Sequence, residues 1–273
     1  SQNETVENKA LSVMAGQGSE SFKDIVFENV SFTREGKSIL NNVSFRLENG
    51  KTLGIMGATG SGKTTIINMM LRFYDPDEGR ILLNGTDLRD LPLETVRKNA
   101  AVVMQDVFLF SDTIEENIRL GKKDMLTEDD INTALQNACA KAFVEKLEDG
   151  TATVIGERGV GLSGGQKQRI SMARAFAKHA SVLVLDDSTS ALDMETEHEV
   201  QTRLGEMKGL SKLIIAHRIS AVRHADEIIV LENGKIAERG DHETLLAAKG
   251  YYYKTYMAQY GEFLSELKSH AGA

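Results

Sequence analysis

The chain has 273 residues, with 40 acidic against 32 basic side chains, and its net charge of -8 argues against a general nucleic-acid surface, where a basic face is expected. That length allows one large α/β domain or a domain with a subdomain, either with a substantial core. A single cysteine, Cys139, excludes an internal disulfide and points to a reducing, cytosolic setting; no apolar stretch approaches the roughly 18 residues of a membrane helix, and no secretory signal pattern opens the chain.

Residues 1–21 are polar and close on Gly16-Gln17-Gly18-Ser19-Glu20-Ser21, a linker-like run. Ile25 to Phe32 and Leu40 to Leu47 alternate apolar and polar residues as half-buried antiparallel strands do. Thr52-Leu53-Gly54-Ile55-Met56 reads as a buried strand and Ile66-Ile67-Asn68-Met69-Met70-Leu71 as a helix. Between them Gly57-Ala58-Thr59-Gly60-Ser61-Gly62-Lys63-Thr64 fills every position of the pattern G-x-x-x-x-G-K-[ST] in the strand, loop and helix order that it requires. Glycines let successive N–H groups turn inward around a polyphosphate, and the helix adds the positive end of its dipole. Lys63 then reaches the β- and γ-phosphates and the Thr64 hydroxyl holds Mg²⁺. The plainer alternative is a Gly-rich turn before an ordinary helix.

Arg80-Ile81-Leu82-Leu83 runs into the turn signal Asn84-Gly85, completing a β-rich lobe beside the loop. Residues from about 112 to 178 read as helices, with Thr127 three before Asp130 as a capping pattern, Gly150 as a stop and Ser163 as a new N-cap. In Leu162-Ser163-Gly164-Gly165-Gln166, a hydroxyl and unobstructed N–H groups stand at a helix N-terminus, a second anion site. Val182-Leu183-Val184-Leu185 is an unbroken apolar strand ending in Asp186-Asp187, and strand carboxyl ends are where open α/β sheets bind ligands. Asp186 there shares the Mg²⁺ with Thr64, unless it is a solvated turn residue. Strands and helices alternate from Val182 onward, closing a parallel sheet. Tyr251, Tyr252, Tyr256, Met257, Tyr260 and Phe263 follow helical spacing and read as a packing face.

The loop at 57–64, the Leu162–Gln166 signature, Asp186 behind its strand, Ser190-Ala191-Leu192-Asp193, and His217 after Leu213-Ile214-Ile215-Ala216 resemble, in order and spacing, the nucleotide-binding domain of an ABC transporter. The resemblance runs from about Phe22 to about Tyr253. Val107-Phe108-Leu109-Phe110, Thr113-Ile114-Glu115-Glu116-Asn117-Ile118 and Gly156-Glu157-Arg158-Gly159 look like the exporter type. It implies a P-loop NTPase core, a mainly parallel sheet with flanking helices, joined to an antiparallel β lobe and a helical subdomain at about 112–178. It further implies residues 1–21 as the linker from a membrane domain, 22–273 as the nucleotide-binding domain, and a place at the cytoplasmic face of the membrane. ATP and Mg²⁺ are the implied ligands.

By the same resemblance Gly57, Thr59, Gly60, Ser61, Gly62, Lys63, Thr64 and Thr65 hold the phosphates, while Thr64, Asp186 and Gln105 serve Mg²⁺. Ser163, Gly164, Gly165 and Gln166 close over ATP held by a second such domain paired head to tail. His217 contacts the γ-phosphate and steadies the water, and Gln105 passes site occupancy to the transmembrane domain. Taken alone, His217 reads as structural, Gln105 as a backbone cap, Phe108 and Phe110 as core, and Glu157 and Arg158 as a solvated loop.

Two positions depart from the family pattern. Asp187 stands where a competent site has Glu as the base that polarises water; it is shorter by about 1.5 Å, and misplacing a catalytic group by about 1 Å can cost about a hundredfold. This resembles the degenerate half of a heterodimeric exporter, with an engineered change or tolerated Asp chemistry as alternatives. Arg34 stands where an aromatic platform for adenine is usual; a guanidinium can stack on a base, or Arg34 is a solvated turn residue beside Gly36. Functions of other classes are a regulatory module that clamps ATP without turnover, and a soluble ABC ATPase of DNA repair or translation. The absence of long heptads, a tandem copy and a basic face weighs against the last.

Overall fold

The computed structural model describes residues 21–120, 125–156 and 161–271, the stretch 262–271 as backbone only. Strands β1 (Asp24–Arg34) and β2 (Lys37–Glu48) form a hairpin, and β3 (Thr52–Gly57) follows, leading to α1 (Lys63–Met70). A second hairpin joins β4 (Glu78–Leu83) to β5 (Thr86–Asp87). Its turn residues, Asn84 at φ 52° and Gly85 at φ 82°, take the left-handed backbone that two-residue hairpin loops favour. These strands make an antiparallel sheet in the order β2-β1-β4-β5.

Next come α2 (Leu93–Lys98), β6 (Ala100–Val103), and a helical stretch of α3 (Ile114–Arg119), α4 (Glu128–Asn137), α5 (Lys141–Val144) and α6 (Gly164–Ala177). The chain then alternates through β7 (Val182–Asp186), α7 (Met194–Glu206), β8 (Ser211–Ile215), α8 (Ile219–Val222) and β9 (Glu227–Glu232). It closes with β10 (Lys235–Gly240), α9 (His242–Ala248) and α10 (Tyr251–Ala271). The second sheet has the order β10-β9-β3-β8-β7-β6, parallel from β9 through β6 and antiparallel only at β10.

Period-two alternation splits the core between the faces of this sheet. Leu183, Leu185, Ile214, Ile228 and Val230 pack with the helical stretch, while Val182, Val184, Leu213, Ile215, Ile229 and Leu231 pack with α1 and the antiparallel lobe. On that second side Ile66, Ile67 and Met69 of α1 are fully buried in the same cluster as Phe27 and Phe45, whose rings stack 4.3 Å apart. Each such side chain contributes about 1.5–3 kcal/mol by leaving water. The 57–64 loop is therefore anchored on one side by a central strand and on the other by a helix locked in the core.

The expected α/β architecture is present, with its antiparallel lobe and helical stretch. Thr127 and Asp130 form the reciprocal capping box of α4, Ser163 caps α6, and Gly150 opens a 3₁₀ turn at Gly150–Ala152. Two expectations need correction. The start of β1 does not alternate, since Asp24–Phe27 are buried in succession; β1 lies between β2 and β4 and its register shifts near Asn29, at φ 50°. In α10, Tyr252 is fully buried and Tyr251, Tyr256 and Tyr260 pack beside it, but Met257 stands 39% exposed off that face; the Phe263 side chain lies outside the described residues.

Candidate nucleotide-binding site

Strand β3 sits inside the parallel sheet, so the loop that follows Gly57 emerges at the carboxyl edge of the strands. Gly57 (φ 148°) and Gly62 (φ 109°) use backbone that L side chains rarely reach. Both are also crowded. A Cβ on Gly57 would collide with the Leu231 carbonyl oxygen, and one on Gly62 would stand 2.7 Å from Leu40 Cδ2. Gly62 is the N-cap of α1 and gives it no side-chain cap, which leaves the first N–H groups of the helix for an anion. Ser61 Oγ is buried with no hydrogen-bond partner among the described residues. A polyphosphate satisfies these groups, so the loop fits a nucleotide.

Lys63 is buried and folds across the loop, donating to the carbonyls of Gly57 at 2.8 Å and Ala58 at 2.9 Å. Burial holds its pKa below the ordinary lysine range, and the charges of Asp186 and Asp187 oppose that shift. Asp186, only 5% exposed at the end of β7, is pushed up by burial and then by Asp187, while Lys63 and His217 pull it down. These four side chains form one electrostatic group. Among the described residues no cluster of three or more His, Cys, Asp or Glu is set to cage a metal. Mg²⁺ takes one or two protein carboxylates plus substrate phosphates, and Asp186, buried at a strand end and in electrostatic reach of Lys63, is a carboxylate of that kind.

Asp187 donates its N–H to the Ile215 carbonyl at 2.8 Å and lies at φ 45°. A left-handed backbone suits Asp better than most residues, so the short carboxylate also has a local conformational rationale. The register Asp186↔Ile215 places exposed His217 just beyond the same sheet edge, and Leu185↔Val103 does so for exposed Gln105. Thr59, Gly60 and Thr64 are exposed on the loop, and Thr65 is half-buried in the first turn of α1.

Arg34, at the tip of the β1–β2 hairpin, donates from Nη1 to the Tyr74 hydroxyl at 2.9 Å and holds its guanidinium 5.2 Å from the Tyr74 ring centre. Tyr74 in turn stacks on Phe32 at 5.4 Å. Arg34 is thus exposed at the hairpin tip and tethered to Tyr74.

The signature folds differently from the loop. Ser163 Oγ accepts from Gln166 N at 3.3 Å and Gln166 Oε1 accepts from Ser163 N at 2.9 Å, a closed capping box. Gly164 and Gly165 lie against Ala191 and Leu192, where a Cβ on Gly165 would stand 3.1 Å from the Ala191 carbonyl oxygen. Buried Gln168, one turn on, donates to Ser190 Oγ at 3.4 Å and accepts from Ala191 N at 3.2 Å.

Phe108 and Phe110 are 51% and 45% exposed, edge to face at 4.8 Å, whereas Leu109 between them is fully buried, so core packing is excluded for the two rings. Buried Asn117 bonds both the N–H and the carbonyl of Phe110, and Arg174 donates to the Phe108 carbonyl at 2.9 Å. Glu157, Arg158 and Gly159 lie outside the described residues. Residues that sequence reasoning missed include Gln168, Arg174, Glu197, Arg218 and Gln259, whose partners are all distant in the chain.

A sequence model of the family described as ABC transporter matches residues 40–190, the stretch that contains the loop, the signature and Asp186. The chain belongs to the ABC transporter family. It is 49% identical over 241 residues to an ATP-dependent lipid A-core flippase of Haemophilus ducreyi, covering 87% of this chain and 41% of that protein. A flippase of the same description from Escherichia coli K12 is 44% identical over 242 residues, 88% of this chain and 42% of its own length. A solved structure of a bacterial Atm1-family ABC exporter with ATP bound superposes with a TM-score of 0.84 at 36% identity, covering 88% of this chain and 42% of that one. This ABC-transporter chain thus spans about two fifths of the length of these relatives, and it has the ABC ATPase fold of an ATP-binding domain. Among the described residues no helix is long and apolar enough to cross a membrane.

Proposed function

We propose that this ATP-binding domain is the motor of an ABC exporter, working at the cytoplasmic face of a membrane, with residues 1–21 as the linker from the membrane domain and 22–273 as the nucleotide-binding domain. The observation that carries the reading is the N-terminus of α1, which has no side-chain cap, beside a buried Lys63 and a Ser61 Oγ without a partner among the described residues, with buried Asp186 at the end of β7 in the same parallel sheet as β3. Lys63 and the N–H groups of α1 hold the β- and γ-phosphates, and Arg34 faces the base. Thr64, Asp186 and Gln105 would hold Mg²⁺, which when bound would supply positive charge beside the phosphates. Asp187 orients the attacking water, and His217 steadies it against the γ-phosphate. Ser163 and Gly165 close over ATP in a second nucleotide-binding domain, so binding of ATP drives head-to-tail pairing and hydrolysis releases it.

The short Asp187 makes this chain's own site the slower half of a pair of different chains. The exposed Phe108–Phe110 edge, held outward by Asn117 and Arg174, supports contact with the coupling helices of a transmembrane domain. The test is ATP turnover in the transporter assembled with its cognate partner. Turnover that requires both domains and both ATP sites to be occupied supports the reading, and hydrolysis by this chain as an isolated monomer at the same rate would contradict it.

A further inference from the structure

We infer that Gln259, on the C-terminal helix, is a positioning residue that sets the backbone carrying His217; this rests on the proposed role of His217 at the γ-phosphate. Gln259 spends both ends of its amide on that backbone: Nε2 donates to the His217 carbonyl at 2.8 Å, and Oε1 accepts from the Ile219 N–H at 2.9 Å. An exposed Gln ordinarily leaves its amide to water, yet this one brackets a single residue, Arg218.

The helix delivers it by periodicity. Tyr252, Tyr256 and Gln259 fall at i, i+4 and i+7 of α10, one stripe of the helix. Tyr252 is fully buried with its hydroxyl 2.7 Å from His242 Nδ1, and the Glu238 carboxylate accepts from the N–H groups of Tyr251 and Tyr252 at the helix start. The stripe thus pins α10 and carries Gln259 to the loop between β8 and α8.

The other side of the loop is fixed as well. Arg218 pairs with buried Glu197 of α7 at 2.6 Å and donates to the Ser190 carbonyl at 3.1 Å, and Ser220 bonds Glu197 at 2.7 Å. With Arg218 tied to α7 and the flanking peptides tied to Gln259, the His217 backbone is held from two directions before any nucleotide arrives. Both His217 and Gln259 lie beyond the 40–190 stretch matched by the family model.

The test is steady-state ATP turnover at this chain's own site, isolated in the assembled transporter by replacing the partner's catalytic carboxylate so that the partner's ATP is held but not cleaved, with this chain carrying Gln259→Leu, which removes both bonds, or Gln259→Glu, which keeps an acceptor for Ile219 N–H and loses the donor to His217. Each is measured alone and with His217→Ala. Both substitutions should lower kcat about tenfold with little change in KM, within the roughly hundredfold that a misplacement of about 1 Å can cost. Neither should lower it further once His217 is Ala. An unchanged kcat, or the same loss repeated in the His217→Ala background, overturns the positioning role while leaving that of His217 intact. A His217→Ala change that itself leaves turnover untouched overturns both.

Discussion

Two helices in this molecule begin after glycine-containing turns, and they use their N-termini in opposite ways. At α1 the N-cap is Gly62, which has no side chain to spend, so the first helix N–H groups have no side-chain cap, Ser61 Oγ is without a partner among the described residues, and Lys63 folds back onto the loop carbonyls. At α6 the N-cap is Ser163, whose hydroxyl and N–H are both taken by Gln166, and the glycines behind it are packed against Ala191 and Leu192. The first terminus is left open within one chain, as the proposed phosphate cradle requires. The second is closed by its own residues, and in the proposed pairing it meets the nucleotide of the other domain.

The largest expected effect breaks the first of these. Lys63→Ala should abolish nucleotide-dependent thermal stabilisation, because it removes the principal positive charge facing the β- and γ-phosphates. A Mg-ATP shift equal to that of the unsubstituted chain would refute the cradle. Ser163→Phe breaks the second: turnover at the partner's site should vanish, while Mg-ATP still stabilises this chain. The lost cap costs about 1 kcal/mol, so loss of the thermal shift as well would mean that the two termini are not independent.

Asp187→Glu sharpens the contrast between the two sites of the pair. It should raise turnover at this chain's own site about tenfold, and equal rates at saturating ATP would mean that carboxylate length is not limiting there. The smallest effect concerns Arg34. Arg34→Ala should weaken ATP binding about two- to fivefold, the equivalent of about 0.5–1 kcal/mol for an exposed cation–π contact. Titration calorimetry with ATP and GTP checks it, and an unchanged affinity for both would leave the Arg34–Tyr74 contact purely structural.

The same contrast explains what the sequence makes legible. The cradle is local: eight consecutive residues with a strand before and a helix after define the loop, and Asp186 follows from an apolar run with one register. The S-x-x-Q spacing of Ser163 and Gln166 is also local, but a capping box and a phosphate donor share that pattern, and packing alone shows that the box is closed. Phe108 and Phe110 gave two readings because apolar character does not reveal which side is covered; only the clamp by Asn117 and Arg174 turns them outward. Gln259 carried no signal at all. Its partners lie 42 and 40 positions away, and a Gln on an amphipathic helix looks like any solvated side chain.

The most direct measurement counts ATP molecules occluded in the assembled pair when two lesions are distributed in different ways. With Lys63→Ala and Ser163→Phe on this chain, both composite sites carry one lesion, and no ATP should be occluded. With Ser163→Phe on this chain and the P-loop lysine replaced on the partner, both lesions fall in one site, and the other should still occlude its ATP. The reverse outcome, occlusion when the lesions share a chain and none when they are split, would contradict the assignment of the loop to its own chain's nucleotide and of the signature to its partner's.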